Sequence, residues 1–232
     1  MSQASAAPGR ERIKQKRGQR TYDALISTGF RLLAHREFES ITIAELSQEA
    51  GYSVGAFYAR FKSKDEFFDA LIAHHLHDRR RIRERLFASV EGDEWIRAVI
   101  AEAVNYYWRR RRFWRAALIR SIHDTDFWQP IREQGHEFAT LCVRRIEQEA
   151  GRAVTKAEEM NVRFAVQLAL GIINNTIINR PGPIFMGQAE FVDNLTRAFR
   201  LVSGYDEIVG AKRKRRKRPE GTPPGDPPEQ GA

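Results

Sequence analysis

The chain has 232 residues, 42% of them apolar and 30% charged, which is enough to bury a sizeable core. It contains no uncharged apolar run of about 18 residues, no apolar leading segment of the secretion type, and one cysteine, Cys142. Those features speak against a membrane span, an internal disulfide and a cysteine-based zinc site, and fit a reducing, cytoplasmic setting.

The net charge of +9 is unevenly spread. Six Lys/Arg face only Glu11 in residues 1–20, and seven face three acids in 211–232, so that 21–210 is neutral. A neutral body with two basic ends suits contact with a polyanion through flexible arms, and equally a pair of solubilising tails.

Apolar residues recur at helical spacing along the chain, with no alternating strand and no hairpin signal, which predicts an all-α fold. A first helix is expected from about Arg20 to His35, with Tyr22, Ile26, Phe30 and Leu33 on one face. Thr42 and Glu45 form a capping box that opens a short second helix, and Gly51 ends it. Ser53 caps a third helix reaching about Arg60, with Phe57 and Phe61 as its buried pair. Ser63 and Glu66 read as another capping box, opening a long fourth helix through Leu71, Ile72, Leu76, Ile82 and Leu86.

Further helices are expected over Glu94–Arg109, from near Phe113, from about Pro130 to Ala150, over 156–178, and around Phe191–Val202. The helix at 156–178 is apolar nearly all round, which predicts burial on every side. The composition of the segment after Gly210 cannot build a core and is expected to be disordered.

Two short helices joined by a glycine turn, with a supporting helix before them, describe a helix-turn-helix. Its second helix enters a major groove about 12 Å wide, which favours small groove-facing side chains. Gly55, Ala56 and Ala59 meet that condition, Ser53 and Val54 lead the helix, and Tyr58 flanks it with a hydroxyl for a phosphate. The run "TIAELSQEAGYSVGAFYARFKSKDEFF" resembles the DNA-binding domain of the tetracycline-repressor (TetR) family of bacterial regulators. Thr42, the Ala50-Gly51 turn, Ser53, Gly55, Tyr58, Phe61, Lys64 and Phe67/Phe68 stand at the spacing of that family.

The resemblance implies that Thr42 and Tyr58 hold phosphates, that Lys64 contacts the DNA backbone, and that Ser53, Val54, Gly55 and Ala56 face the bases. Val54 and Ala56 stand where many relatives carry Lys, Arg, Gln or Thr. Readout is therefore expected to lean on thymine methyl contacts, Arg60 and the arm carrying Arg10, Arg12, Lys14, Lys16, Arg17 and Arg20. Arg60 also reads as a solvated flank.

The resulting organisation is a basic flexible arm (1–17), a three-helix helix-turn-helix domain (18–72), a larger helical ligand-binding and dimerisation domain (73–209), and a disordered basic, Pro-rich tail (210–232). The implied partners are a palindromic double-stranded DNA operator, a second copy of the chain and a largely apolar small-molecule effector, with no membrane, cofactor or metal. Candidate effector contacts are Tyr107, Trp108, Trp114, Phe127, Trp128, Phe164 and Leu168, with Asn174 and Asn175 as polar anchors; each reads more readily as core. The expected function is a non-enzymatic, homodimeric repressor released from DNA by its effector. An activator of the same family and a sequence-independent architectural DNA binder are the alternatives.

Overall fold

The computed structural model describes residues 8–216, with side-chain surroundings for 15–210. All regular structure among them is helical: α1 (Pro8–Leu33), a 3-10 turn (Phe38–Ser40), α2 (Ile43–Glu49), α3 (Val54–Tyr58), α4 (Lys64–Ser89), α5 (Glu94–Arg109), α6 (Arg111–His123), α7 (Gln129–Ala150), α8 (Lys156–Asn179), α9 (Ala189–Ser203) and α10 (Tyr205–Arg216).

The start of the chain differs from expectation. The helix assigned to Arg20 begins at Pro8, so the second half of the expected arm is a helical extension of α1. Pro at the first helical position suits this start, because its missing N–H would have no partner there. Likewise α10 runs on to Arg216, six residues into the segment expected to be disordered; the tail after it lies outside the described residues.

Hydrogen bonds local in sequence set the short helices. Thr42 Oγ1 accepts from Glu45 N (3.1 Å) while Glu45 Oε2 accepts from Thr42 N (3.0 Å), closing the capping box that opens α2. Ser53 caps α3 through Ala56 N (3.2 Å), and α3 ends at Tyr58, two residues short of expectation. At α4 the box is half made. Ser63 Oγ takes Glu66 N (3.1 Å), but the Glu66 carboxylate accepts from Lys62 N rather than from Ser63 N. A box at Thr155–Glu158, unforeseen from the sequence, opens α8. Gly51, at φ +77°, supplies the left-handed turn between α2 and α3.

Aromatic packing locks the N-terminal unit. Phe57 is fully buried, with ring centroids 5.3 Å from Phe61 and 5.7 Å from Phe67, and Phe61 also meets Tyr22 at 5.6 Å. Close approach of α1 to α4 depends on Gly29, where a Cβ would fall 2.6 Å from the Phe67 ring. Behind this unit α5 and α7–α9 form a bundle around Trp95, Val104, Phe113, Ile146 and Val162. The expected boundary at residue 72 falls inside α4, which therefore belongs to both halves.

The helix α6 joins the halves. Arg112 donates to the Ala34 carbonyl at 2.7 Å, beyond the end of α1, and Arg120 bridges to Asp69 of α4 at 2.8 Å. Phe113 fills the space between Phe30 and Phe68, at 5.2 and 5.5 Å.

Within the single chain, burial of α8 is one-sided. Val162, Ala165, Val166, Ile173 and Thr176 are enclosed, whereas Met160 and Phe164 are exposed, Phe164 by 53%. The apolar outer side is a surface in the single chain, because α7 and α9 cover only the inner side.

Candidate nucleic-acid interface

The third helix buries Phe57 and turns Val54, Gly55, Tyr58 and Ala59 to solvent, with Ala56 half-buried. Tyr58 is 53% exposed, its ring edge-on to Phe57 at 5.5 Å. A Cβ on Gly55 would meet only Ser53 Oγ, at 3.8 Å. Folding therefore does not require glycine there, and the resulting surface is small, uncharged and free for a partner. Ser53 is exposed at the leading end, although its Oγ is engaged in capping.

Thr42 is exposed beside this face, but its hydroxyl proton is donated to Glu45 Oε2 (2.9 Å). The Thr42 amide, then Arg36 and the Thr42 hydroxyl, hold the Glu45 carboxyl down to about 2. Binding a phosphate through Thr42 Oγ1 would redirect that proton. Arg60 is exposed, and its guanidinium lies over the α1 backbone: a methyl group on Gly18 would fall 2.5 Å from Arg60 Nη2. Recognition helix and helical arm are thus adjacent, with Lys16, Arg17 and Arg20 exposed on α1. The side chains of Arg10, Arg12 and Lys14 lie outside the described set.

Lys64 has a different setting from the one foreseen. Its Nζ donates to the Phe38 and Glu39 carbonyls at 2.7 and 3.2 Å and sits 4.4 Å over the Phe38 ring. Burial pushes its pKa down. In the free protein this ammonium is a clamp on the 3-10 turn.

The candidate effector residues do not form one cavity. Tyr107, Trp114, Trp128 and Asn174 converge: the Trp114 ring lies tilted 4.9 Å from Tyr107 and 5.5 Å from Trp128, and donates to Asn174 Oδ1 at 2.8 Å. Asn174 is thereby an internal partner and not a free anchor. Phe127 stacks on Phe68 at 5.9 Å, Trp108 lies under Arg111, and Leu168 is half-buried. Phe164 and Asn175 are exposed. An open groove of about 260 Å³ lies instead between α4 and α7, lined by Ala73, Leu76, His77, Arg80, Pro130, Glu133, Gln134 and Glu137.

The sequence reading passed over His75, Arg79 and Arg83, all buried on the inward face of α4. A signal was present. Phe68, Ile72, Leu76, Ile82 and Leu86 outline a buried stripe whose middle positions, at helical spacing, are held by His75 and Arg79.

Comparison with known proteins agrees with this geometry. Residues 25–71 match the model of bacterial regulatory proteins of the tetR family. An uncharacterized HTH-type transcriptional regulator of Bacillus subtilis, YwcC, is 43% identical over 47 residues, a match spanning 20% of this chain and 21% of that protein. Over most of the chain the likeness is one of fold. A tetR-family transcriptional regulator from Streptomyces coelicolor superposes with a TM-score of 0.62 at 20% identity, covering 88% of this chain and 92% of that one. GusR of Salmonella enterica gives a TM-score of 0.59 at 15% identity, with 79% and 95% covered. Residues 25–71 thus match the helix-turn-helix domain of the tetR family of bacterial regulatory proteins, and the chain as a whole shares the fold of these solved structures.

Proposed function

We propose that the chain is a homodimeric transcriptional repressor that binds a palindromic operator and leaves it when a small molecule occupies the helical domain. The exposed face of α3 carries this reading. Gly55 is glycine without a folding reason, and Val54, Tyr58 and Ala59 beside it expose apolar and hydroxyl surface with no charge. Such a face fits a groove in which backbone approach is close and thymine methyls are the contact partners. Ser53, Val54, Gly55 and Ala56 would meet base edges, Tyr58 and Thr42 phosphates, and Arg60 with the α1 extension the flanking backbone. Lys64 would keep the 3-10 turn in register with α2, a supporting role.

A dimer is supported by the outer faces of α8 and α9. Met160, Phe164 and Leu201 are exposed there, Leu201 by 74%, and a second copy related by a two-fold axis would cover them in a four-helix arrangement. Two copies of α3 would then read half-sites one or more DNA turns apart. Effector binding would act through α4, which follows α3 after a five-residue link and ends deep in the helical domain. Movement of α4 would change the α3 spacing, a population shift between two poses.

Selection of bound duplexes from a random pool tests the reading, with the native protein compared with Tyr58→Phe and Gly55→Glu. The native protein is expected to enrich one palindrome, Tyr58→Phe to bind it more weakly, and Gly55→Glu to lose it by at least about 100-fold, as one to two displaced base contacts require. Equal enrichment by Gly55→Glu would remove α3 from the groove.

A further inference from the structure

Three nitrogen-bearing side chains, His75, Arg79 and Arg83, follow one another at four-residue spacing along α4, each at least 94% enclosed by the protein. Their surroundings are rings. His75 stacks on Trp114 at 4.9 Å, Arg79 sits 4.6 and 5.3 Å over Tyr106 and Tyr107, and Arg83 lies 5.4 Å over Phe138 of α7. Arg79 is paired with Glu102 of α5. Arg83 has no carboxylate within ion-pair distance among the described residues, and its Nε, like Arg79 Nε and His75 Nε2, is buried without a hydrogen-bond partner.

Burial, with Arg79, Arg110 and Arg83 nearby, holds the His75 pKa well below its ordinary value, so the imidazole is neutral at pH 7. The cluster then carries two cations and one anion, and one added negative charge would balance it. Buried charges are ordinarily paired, and a guanidinium left bare in a ring-lined interior is suited to a counter-ion from outside the chain.

A route lies beside it. The groove between α4 and α7 is edged by Arg80, three residues before Arg83, and by Glu137, next to Phe138. Arg80 Nη2 donates to both Glu137 oxygens, at 2.8 and 2.7 Å, and both side chains are half exposed. That pair lies on the edge of the groove, and the Glu137 charge acts on Arg83.

We propose that Arg83 receives the carboxylate of an aromatic monocarboxylate ligand, which reaches it from the α4–α7 groove by parting Arg80 from Glu137. The planar fork of Arg83, with Nε and an Nη side by side, matches the two oxygens of a carboxylate, and Phe138, 5.4 Å from the guanidinium, is the aromatic side chain at hand for the ligand ring. This rests on the ligand-responsive reading above and gives the effector a chemical class: an amphipathic anion, in place of the largely apolar molecule expected from the sequence. A ligand wedged between α4 and α7 would also act directly on the helix that leads to α3.

The test uses the full-length protein with benzoate, phenylacetate and 1-naphthoate, each beside its neutral amide. Binding is read by tryptophan fluorescence, since Trp114 abuts His75, and by melting temperature. At least one carboxylate is expected to bind, its amide at least tenfold more weakly. Arg83→Met should cost the carboxylate tenfold or more while keeping the helical circular-dichroism spectrum, and Arg83→Lys should lose part of that. Amides binding as tightly as acids, undiminished binding by Arg83→Met, or no response to any of the three acids would overturn the proposal. Release of operator DNA is measured in parallel. Acids that bind through Arg83 without releasing DNA would leave the ligand class standing and remove the effector reading.

Discussion

The helix-turn-helix unit and the bundle behind it are both helical, yet their polar groups are handled in opposite ways. In the unit, Thr42, Ser53 and Glu45 make hydrogen bonds to nearby backbone, and the largely apolar interior packs Phe57, Phe61 and Phe67 together with leucines and isoleucines. In the bundle, cations sit inside, with Arg79 and Arg83 among rings and only Glu102 paired with them. The unit is thus fixed by short-range contacts and presents a free surface, while the bundle encloses more cationic than anionic side chains around Arg79.

The largest expected effect would come from removing the ring at the centre of the aromatic cluster of the N-terminal unit. Phe57→Ala deletes a fully buried side chain touching Phe61 and Phe67, and is expected to cost about 3–5 kcal/mol of stability. Urea unfolding followed by circular dichroism measures this, and a loss below about 1 kcal/mol would mean the phenylalanine cluster does not hold the unit.

The charged interior gives a smaller loss of a different kind. Glu102→Leu leaves Arg79 without its carboxylate, and because Glu102 is 21% exposed the cost should fall below that of a fully enclosed pair, at roughly 2–3 kcal/mol. Adding Arg79→Met should restore most of it, since a buried ion pair replaced by apolar groups is commonly near neutral in stability. A double variant as unstable as the single one would show that shape, not charge, sets the loss.

Acid distinguishes the halves next. His75 has a folded pKa well below its ordinary 6.5, with Arg79, Arg110, Arg83 and His74 around it and Tyr106 Oη 3.3 Å from Nδ1. Below pH 6.5 the unfolded chain takes up a proton that the folded chain refuses. Stability therefore falls as pH falls, by up to about 1.4 kcal/mol per pH unit. Glu45 and Glu158, both lowered to about 2, add their own loss only below the carboxylate value of 4.5. Melting curves between pH 6.5 and 5 isolate the histidine, and His75→Phe should flatten them.

Legibility in the sequence follows the same division. The Thr42–Glu45 box, the Ser53 cap and the Gly51 turn act within four residues of themselves, so α2 and α3 could be read from letters alone. The exposed Tyr58 and Gly55 followed from the same register. What escaped depends on distant partners. Lys64 reads as a DNA-backbone contact from its spacing, and the carbonyls 25 and 26 residues earlier that hold it in the free protein are not legible there. The hydrogen bond from Trp114, 60 residues away, to Asn174 Oδ1 is equally out of reach of local spacing. The full-circumference apolar pattern of α8 could not tell burial within the chain from a side left for another molecule.

The smallest effect on stability tests the contrast most directly, because the two halves of the recognition argument predict opposite signs. Gly55 sits inside α3 with helical neighbours, and alanine there adds a methyl to open space. The helix should gain up to about 1 kcal/mol, the usual difference between glycine and alanine in a helix interior. Gly29 would not tolerate the same change, because its methyl would strike the enclosed Phe67 ring. Stability alone would therefore favour Ala at 55. If the groove sets the identity of that residue, Gly55→Ala melts higher but binds the selected operator several-fold more weakly, as the methyl lifts the backbone from the base edges. Higher melting with undiminished affinity would mean that Tyr58 and Val54 make the contacts from further out, and that the backbone of α3 does not approach the bases at Gly55.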